Sequence, residues 1–367
     1  MKQVMKNKKI ELFVPFPYRR KPLNHRIIEE KFEHKPIYAS KGRNAIYHIL
    51  RSYKIFDGTV AISSYMCPSI KDVLIKNGYN VVYYDIDLRD LNPDVDDIKE
   101  VITTFVPVAL IAASMYGNPA DLPTIERICK ENHVILIDDA AQSFGAKIGQ
   151  KYVGSFGNAG FFSFSPGKPT AAYMGAYFWT EREYNFQRKN HFWYRLVAYE
   201  YFKHNRYLSY KNHRFRKIIW GLLLLLFKDC DIKDDVETDF INSVLGGVIE
   251  ENFGHAFLYR KKWFNIFLNS FSNNVQFRII KELRGISNPS KIVLLFEKKE
   301  EAQRFRAHLN QCGIAFYEGY IINKGKRKIN NVDLIANRIV EIPIDADEQR
   351  METLLLICKQ FLYSTES

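Results

Sequence analysis

A single lysine, Lys168, follows a tight Ser-Pro-Gly turn in the stretch FFSFSPGKPTAAYMGA, which covers residues 161–176. Apolar and aromatic residues lead into the turn, and small residues follow it. Such a lysine is either a solvated surface residue or a side chain held in a pocket. In a pocket, a desolvated amine can lose its proton and bond a carbonyl compound. The second interpretation predicts amine-based covalent chemistry around Lys168.

Three further stretches carry residue types that suit such a site. LIDDAAQSFGA ends a buried strand with Asp138 and Asp139, and a buried carboxylate needs a partner such as a protonated ring nitrogen. SKGRNAIYHIL places Gly42 at a helix start, where free backbone N–H groups suit a phosphate. SSYMCP puts Tyr65 just after a strand, where its aromatic face could cover a flat ring. Taken singly, the last two patterns are more often an ordinary capped helix and core packing.

The segments that must position these residues alternate between strands and helices from residue 40 onward. The predicted strands are GTVAIS, NVVYYDID, PVALIAASM and VILID, and the predicted helices are NAIYHILRSY, CPSIKDVLIKNG, DVDDIKEVI and LPTIERICKENH. Continuous apolar runs indicate a largely parallel sheet that is covered on both faces. Ligands bind such sheets at the carboxyl ends of the strands, so we expect Asp138, Asp139 and the turn around Tyr116 at the mouth of the site.

The length of 367 residues suits one large domain and a smaller one. After about residue 290 the pattern reads as a strand KIVLLFE, a helix KEEAQRFRAHLNQCG, a strand RIVEIPI and a helix DEQRMETLLLICKQFL. We therefore predict an α/β protein with a mostly parallel sheet and a small C-terminal α+β domain. The predicted boundaries are 1–235 for the large domain, which includes a lead-in and an insertion at 184–227, and 236–367 for connecting helices and the small domain.

The stretches SKGRNAI, SSYMCPSI, YGNPAD, IDDAAQSFGA and FSFSPGK, in this order, resemble the DegT/DnrJ/EryC1/StrS family of sugar aminotransferases. These are fold type I enzymes that use pyridoxal phosphate (PLP). The resemblance covers roughly residues 36–362 and includes the tail NRIVEIPI with the helix after it. It implies that Lys168 bonds PLP as a Schiff base and moves the proton, that Asp139 pairs with the pyridine nitrogen, and that Gln142 lies near the ring hydroxyl. It also implies that Tyr65 stacks on the ring. The implied phosphate cup consists of Ser163 and the backbone of Arg43 and Asn44 after Gly42.

The resemblance further implies transfer of an amino group, with glutamate as donor, to a keto sugar carried on a nucleotide. The implied context is surface-polysaccharide or related sugar biosynthesis, and the implied assembly is a homodimer. Two alternatives stay open. A sugar dehydratase of the same fold is one, but such family members tend to replace the lysine with histidine, unlike Lys168. A non-catalytic regulatory or scaffold protein is the other, because AAYMGAYF after the lysine holds only Gly175 and because Asp239 stands where the family often has asparagine.

The net charge is +12, which favours an anionic substrate such as a sugar nucleotide. The five cysteines are scattered and show no metal-ligand spacing, so we expect reduced thiols, no metal and a cytoplasmic protein. The start has no long apolar core, which argues against a signal peptide. The longest apolar run, IIWGLLLLLF at 218–227, is shorter than the about 20 residues that a spanning helix needs.

The predicted insertion at 184–227 begins with a basic and aromatic segment. Between positions 184 and 217 there are nine Lys and Arg residues against one acid, Glu200. A solvated basic face whose aromatic residues pack at a dimer interface is the simplest interpretation. Peripheral contact with an anionic membrane surface is the next, because basic and apolar residues together suit an interfacial helix. Nucleic-acid binding ranks last, since no nucleic-acid motif accompanies the charge.

Overall fold

The structure is a computed structural model that describes residues 21–22, 24–165, 168–170, 175–185, 239–325 and 327–363. Most of the predicted insertion at 184–227 therefore lies outside the described residues. Two main sheets organise the described part of the chain, one with seven strands and one with three.

The large sheet is mostly parallel, as the apolar runs predicted. In chain order, its strands are β1 (Ile37–Ala39), β2 (Thr59–Ser63), β3 (Asn80–Tyr84), β4 (Ala109–Ala113), β5 (Ile135–Asp139), β8 (Ala159–Ser163) and β9 (Ala176–Thr180); the short hairpin of β6 (Lys147–Ile148) and β7 (Lys151–Tyr152) lies between β5 and β8. The spatial order is β1-β9-β8-β5-β4-β2-β3. Strand β9 runs antiparallel to both of its neighbours, and the other pairs are parallel.

One helix precedes the first strand of the large sheet, and four more connect the strands β1 to β5. They are α1 (His25–Phe32), α2 (Gly42–Ser52), α3 (Pro68–Lys76), α4 (Val95–Phe105) and α5 (Leu122–Glu131). Local signals set their starts: Pro68 occupies the first turn of α3, and the side chain of Asp94 accepts hydrogen bonds from the first-turn N–H groups of α4. All four helices predicted between residues 40 and 133 form at the expected positions.

The large sheet is buried on both faces. Along β2, Val60 and Ile62 belong to one hydrophobic cluster, while Ala61 between them belongs to the other. Along β5, Leu136 and Ile137 divide between the two clusters in the same way. This alternation is what a parallel sheet with helices on both faces requires, and it leaves the carboxyl ends of the strands as the open edge.

The second sheet follows later in the chain and is antiparallel, in the order β10-β11-β12. Its strands are β10 (Phe277–Ile279), β11 (Lys291–Phe296) and β12 (Ile339–Pro343), and the accompanying helices are α6 (Asp239–Phe253), α7 (His255–Ser270), α8 (Lys299–Gln311), α9 (Asn331–Leu334) and α10 (Glu348–Tyr363). The predicted strands KIVLLFE and RIVEIPI pair directly with each other. No helix within the described residues is both long and apolar enough to cross a membrane.

The loop after α8 forms hydrogen bonds that hold the second sheet against the large one. The Arg327 guanidinium donates two hydrogen bonds to the carboxylate of Asp97 on α4, both at 2.6 Å. The carboxylate of Asp85, just after β3, accepts the backbone N–H groups that precede and begin α9. The backbone of Ile322 forms a bridge with that of Tyr65. These contacts bring one end of β11 and β12 to the open edge of the large sheet.

Candidate active site

A cavity of about 380 Å³ lies at the carboxyl ends of β2, β4, β5 and β8, where parallel sheets bind ligands. Six of the predicted site residues line it: Gly42, Arg43, Asp139, Gln142, Ser163 and Lys168. Two, Asn44 and Tyr65, do not. The end of β11, the middle of β12 and the loop between α8 and α9 complete the wall, so both sheets contribute to one site.

Asp139 is the last residue of β5 and is only 5% exposed. Its Oδ1 accepts a hydrogen bond of 2.9 Å from the backbone N–H of Ala141, which fixes the orientation of the carboxylate. Burial raises the pKa of Asp139 to about 6, while the Ala141 N–H and the charge of Lys168 act in the opposite direction. Within the described part of the chain, no hydrogen bond reaches Oδ2. A cationic ligand group in the cavity would supply the partner that this carboxylate needs.

Asp138, the neighbouring residue, accepts hydrogen bonds from the backbone and does not line the cavity. Its Oδ2 accepts the backbone N–H groups of Gly154 at 2.6 Å and Phe156 at 3.1 Å. These bonds hold the turn between β7 and β8 against the end of β5. Burial raises the pKa of Asp138 to about 8. The residue pattern alone left both adjacent acids open, the family resemblance selected Asp139, and the structure places only Asp139 in the cavity wall.

Lys168 lies just beyond β8, five residues after Ser163, and its backbone N–H donates to the carbonyl of Ser165. Burial lowers the pKa of the Lys168 amine, whereas the negative charge of Asp139 opposes that shift. The positive charge of Lys291 adds to the lowering. A lysine whose ammonium form is disfavoured is a better nucleophile toward a carbonyl carbon. The environment of Lys168 therefore fits the pocket interpretation rather than the solvated one.

The start of α2 forms another part of the wall. Lys41 occupies the N-cap position, and its side chain has no oxygen to cap the helix. The backbone N–H of Asn44 donates to the Lys41 carbonyl at 3.0 Å, and its side chain donates to Ser40. Thus, of the two backbone groups predicted to bind phosphate, that of Asn44 already has an acceptor inside the chain. The N–H groups of Gly42 and Arg43 come earlier, where a helix supplies no acceptor.

Gly42 is needed for close packing at this corner. A Cβ atom there would lie 3.2 Å from both the ring of Phe161 and the Cβ of Ser163. The Ser163 hydroxyl is 3.2 Å from that of Ser165. The helix start and the end of β8 therefore meet without an intervening side chain. Backbone N–H groups and hydroxyls in this arrangement suit a phosphate.

Tyr65 is placed differently from the expectation. Its side chain is 1% exposed, and the residues after it, Met66 and Cys67, line the cavity instead. The Tyr65 hydroxyl lies 2.6 Å from that of Tyr116 and accepts the backbone N–H of Tyr320 at 3.3 Å. The ring thus sits behind the wall, at the junction with the loop after α8. Its stacking role stays a prediction.

The residues that the second sheet and the loop after α8 contribute to the cavity were not predicted from the sequence. They are Lys291, Tyr317, Gly319, Tyr320 and Glu341. Lys291 and Glu341 form an ion pair, and their side chains are only 11% and 2% exposed. The sequence did indicate that Glu341 is special, because this acid interrupts the apolar strand RIVEIPI at a position that faces the protein interior. An acid inside a buried strand needs a partner.

These side chains form a donor set that fits PLP. Asp139 offers a carboxylate for a protonated ring nitrogen, Lys168 offers an amine for an aldehyde, and the start of α2 with Ser163 offers N–H and O–H groups for a phosphate. Gln142 also lines the cavity, where its amide donates to the sulfur of Met115 at 3.4 Å. All of these groups face the same cavity of about 380 Å³, which is within the size range of cofactor sites.

Known proteins share both sequence and fold with this chain. The model of the DegT/DnrJ/EryC1/StrS aminotransferase family matches residues 33–190. UDP-N-acetyl-3-dehydro-alpha-D-glucosamine 3-aminotransferase of Acidithiobacillus ferrooxidans is 32% identical over 134 residues, which are 36% of this chain and 36% of that protein. The chain thus spans about a third of the length of the curated relatives it matches.

Solved structures resemble nearly the whole chain. The aminotransferase TlmJ of Streptoalloteichus hindustanus superposes with a TM-score of 0.75 at 14% identity, covering 98% of this chain and 100% of its own. GDP-4-keto-6-deoxy-D-mannose-3-dehydratase of E. coli, solved with bound hydrated PLP, gives a TM-score of 0.66 at 15% identity and covers 91% of this chain and 90% of its own. These likenesses confirm the predicted α/β fold.

Proposed function

We propose that this protein, whose residues 33–190 match the model of the DegT/DnrJ/EryC1/StrS aminotransferase family, is a PLP-dependent aminotransferase acting on a nucleotide-linked keto sugar. The observation that carries the proposal is the meeting of Lys168, Asp139 and the start of α2 in one cavity. Glutamate is the proposed amino donor. Surface-polysaccharide or related sugar biosynthesis is the proposed context, in keeping with the sugar aminotransferase of A. ferrooxidans.

In this proposal the chain holds PLP at three points. Lys168 bonds it through Nζ, Asp139 faces the ring nitrogen, and the N–H groups of Gly42 and Arg43 bind the phosphate together with the Ser163 hydroxyl. Gln142 lies near the ring hydroxyl. When bound, PLP supplies an electron sink that makes a proton on the neighbouring carbon of an amino acid removable.

Lys168 then acts as the proton carrier. Because burial and the charge of Lys291 lower its pKa, its amine can take up a proton and return it without a large energetic barrier. Asp139 stays ionised because a cationic ring nitrogen offsets the cost of its burial. The aromatic side chains of Tyr317 and Tyr320 line the cavity and limit the access of water to the reacting groups.

A dehydratase is the competing proposal within the same fold, since the E. coli dehydratase shares that fold. Lys168 favours transamination, because a lysine can bond the cofactor and exchange that bond for the substrate amine. A histidine at this position has no primary amine with which to do so. Loss of water from the keto sugar without formation of an amino sugar would favour the dehydratase.

The decisive experiment loads the purified protein with PLP, reduces it with borohydride and maps the labelled peptide by mass spectrometry. We expect the pyridoxyl group on Lys168. The control is Lys168→Ala, in which the label should be absent. Label on Lys41 or Lys291, which also line the cavity, or no label despite excess PLP would contradict the proposal. Addition of glutamate to the unreduced protein should then yield 2-oxoglutarate.

We also propose that the protein is a homodimer, as the family resemblance implies. Sedimentation velocity should give twice the chain mass of 43.0 kDa. A species with the mass of one chain at micromolar concentration would contradict this.

A peripheral contact with anionic membranes is proposed for the segment at 184–227, because each engaged basic residue of its part at 184–217 contributes about 1 kcal/mol near such a surface. Co-sedimentation with anionic and neutral vesicles at two salt concentrations tests it. Binding should require anionic lipid and weaken with salt, since ions screen the charges. Equal recovery in the supernatant with both lipids would favour the dimer-interface interpretation.

A further inference from the structure

A second lysine, Lys291, faces the cavity from the first position of β11. Its ammonium pairs with the carboxylate of Glu341 on the adjacent strand β12 and lies 4.5 Å from the centre of the Tyr317 ring. The side chain is 11% exposed, so the charge is held at the wall rather than in bulk solvent. The catalytic roles proposed above do not use this lysine as a ligand.

Hydrogen-bond capacity distinguishes the two members of this pair. Glu341 has both oxygens engaged, Oε1 by the Tyr116 hydroxyl at 2.6 Å and Oε2 by Lys291. An ammonium has three N–H donors. Among the described residues, Glu341 is the only acceptor that Lys291 contacts within hydrogen-bond distance. Two donors of Lys291 therefore remain for a ligand, whereas the carboxylate has little capacity left.

A buried chain of hydroxyls fixes the position of this cation. The backbone N–H of Tyr320 donates to the Tyr65 oxygen. Because the Tyr116 hydroxyl donates to Glu341, the Tyr65 hydroxyl must donate to Tyr116. Tyr116 holds a left-handed backbone conformation, with φ of 58°, which is unfavourable for a tyrosine. Its surroundings thus impose that conformation, as is common at ligand sites.

We propose that Lys291 binds the carboxylate of the amino-acid donor. The inference rests on the proposed function, since an amino donor is needed only for transamination. An α-amino acid carries its carboxylate one carbon from the amine. An anion held by Lys291 would therefore lie close to the place where Lys168 acts. In a sugar nucleotide, several atoms separate the diphosphate from the keto carbon, so it is less suited to a cation this near to Lys168.

The test uses the PLP-loaded protein and two unreactive probes, measured by titration calorimetry. Glutarate represents the donor, since it has the two carboxylates of glutamate but no amine. UDP represents the nucleotide. We expect Lys291→Gln to weaken glutarate binding by about 10- to 100-fold, because a charge-assisted hydrogen bond is lost. We expect UDP binding to change less than about threefold.

Three further variants keep the result interpretable. Lys291→Arg retains the charge and should recover most of the glutarate affinity. The double variant Lys291→Gln/Glu341→Gln avoids an unpaired buried carboxylate and should still bind glutarate weakly. Lys261→Gln is the matched control, because Lys261 forms a similar half-buried pair with Glu282 at 2.7 Å outside the cavity. It should leave both affinities unchanged.

The outcomes separate this inference from the proposed function. If the protein never bonds PLP or consumes glutamate, the proposed function fails, while glutarate titration of the wild-type protein still decides the Lys291 site. Absence of glutarate binding to the wild type overturns the inference. A loss of UDP affinity with normal glutarate affinity in Lys291→Gln overturns it too, since the cation would then serve the nucleotide. In the donor half-reaction, support requires that the KM for glutamate rises in Lys291→Gln and is restored in Lys291→Arg, which keeps the positive charge near Lys168.

Discussion

Replacement of Asp139 by asparagine exchanges one carboxylate oxygen for an amide nitrogen. The substitution allows the catalytic role of this side chain to be measured separately from its effect on stability. In the proposed site the carboxylate keeps the ring nitrogen of PLP protonated, and an amide cannot do this. The substitution is nearly isosteric, and the asparagine oxygen can still accept the 2.9 Å hydrogen bond from Ala141. Asp139→Asn should therefore leave the cavity and the phosphate contacts intact while it weakens the electron sink.

The expected magnitudes follow from the burial of this group. A carboxylate beside a cation shifts a pKa by about 1–3 units, and one unit corresponds to about 1.4 kcal/mol. We therefore expect Asp139→Asn to lower turnover by about 10- to 1000-fold. In the cofactor-free protein, burial raises the pKa of Asp139 from 3.8 to about 6. Two pKa units correspond to about 3 kcal/mol in the free energy of unfolding. The folded protein loses this stabilisation as the pH rises from about 4 through 6.

The sign follows from proton binding. Between about pH 4 and 6 the folded protein holds the Asp139 proton, whereas the unfolded chain has released it, so the free energy of unfolding falls as the pH rises. Asp139→Asn has no such proton. Without cofactor it should be more stable than the wild type at pH 8, and the difference should vanish below about pH 4.

The assay pairs turnover with thermal unfolding of the cofactor-free protein at pH 4 and pH 8. Asp138→Asn is the control, since Asp138 is equally buried but accepts only backbone N–H groups outside the cavity wall. We expect it to retain most of its turnover. Near-full activity of Asp139→Asn, or equal losses in both variants, would refute the assignment of Asp139 to the ring nitrogen.

Three other changes probe the construction of the site. Gly319→Ala should lower the melting temperature and the activity together, because its Cβ would lie 2.4 Å from the Tyr65 hydroxyl at a backbone φ of +85°. Arg327→Gln should destabilise the protein by about 1–3 kcal/mol and speed hydrogen exchange in the loop after α8, because it loses the two charge-assisted bonds to Asp97. Ser163→Ala should weaken PLP binding by about 5- to 30-fold in a fluorescence titration, through loss of one phosphate donor.

Local sequence patterns were sufficient for four strands of the large sheet, β2 to β5, and for six of the residues that line the cavity. The apolar run before Asp139 identified one strand end, and parallel topology brings such ends together. Strand β8, which precedes Lys168, was not predicted as a strand. The antiparallel direction of β9 was not predicted, since a five-residue apolar strand carries no sign of its orientation. The short pair β6 and β7 is likewise too brief to leave a periodic signal.

The contribution of the second sheet could not be read from the sequence for a different reason. Glu341 reaches Tyr116, which lies 225 positions earlier in the chain. Glu341 interrupts an apolar strand, but nothing in the sequence identifies its partner, and only the packing of β12 against the open edge of the large sheet joins it to Tyr116. The same packing brings the Tyr65 hydroxyl into contact with Tyr116 and Tyr320. Long-range partners of buried polar groups are set by tertiary contacts, on which local periodicity carries no information.

The two roles of Tyr65 make opposite predictions for a pair of substitutions. A stacking residue needs its ring, so Tyr65→Phe should be tolerated and Tyr65→Leu should weaken PLP binding strongly. A residue that acts through its hydroxyl loses that function in both variants. From the contacts with Tyr116 and Tyr320 we expect the second pattern: both variants should lose about 1–3 kcal/mol of stability, because a buried N–H loses its acceptor.

Affinity for PLP is then the distinguishing measurement. Because Met66 and Cys67 line the cavity and Tyr65 does not, the affinity for PLP should change less than about threefold in either variant. Tyr116→Phe should reproduce the loss of stability. A PLP affinity that survives in Tyr65→Phe but falls by tenfold or more in Tyr65→Leu would mean that the ring turns into the cavity when the cofactor binds. The stacking role would then replace the one argued from the hydroxyl contacts.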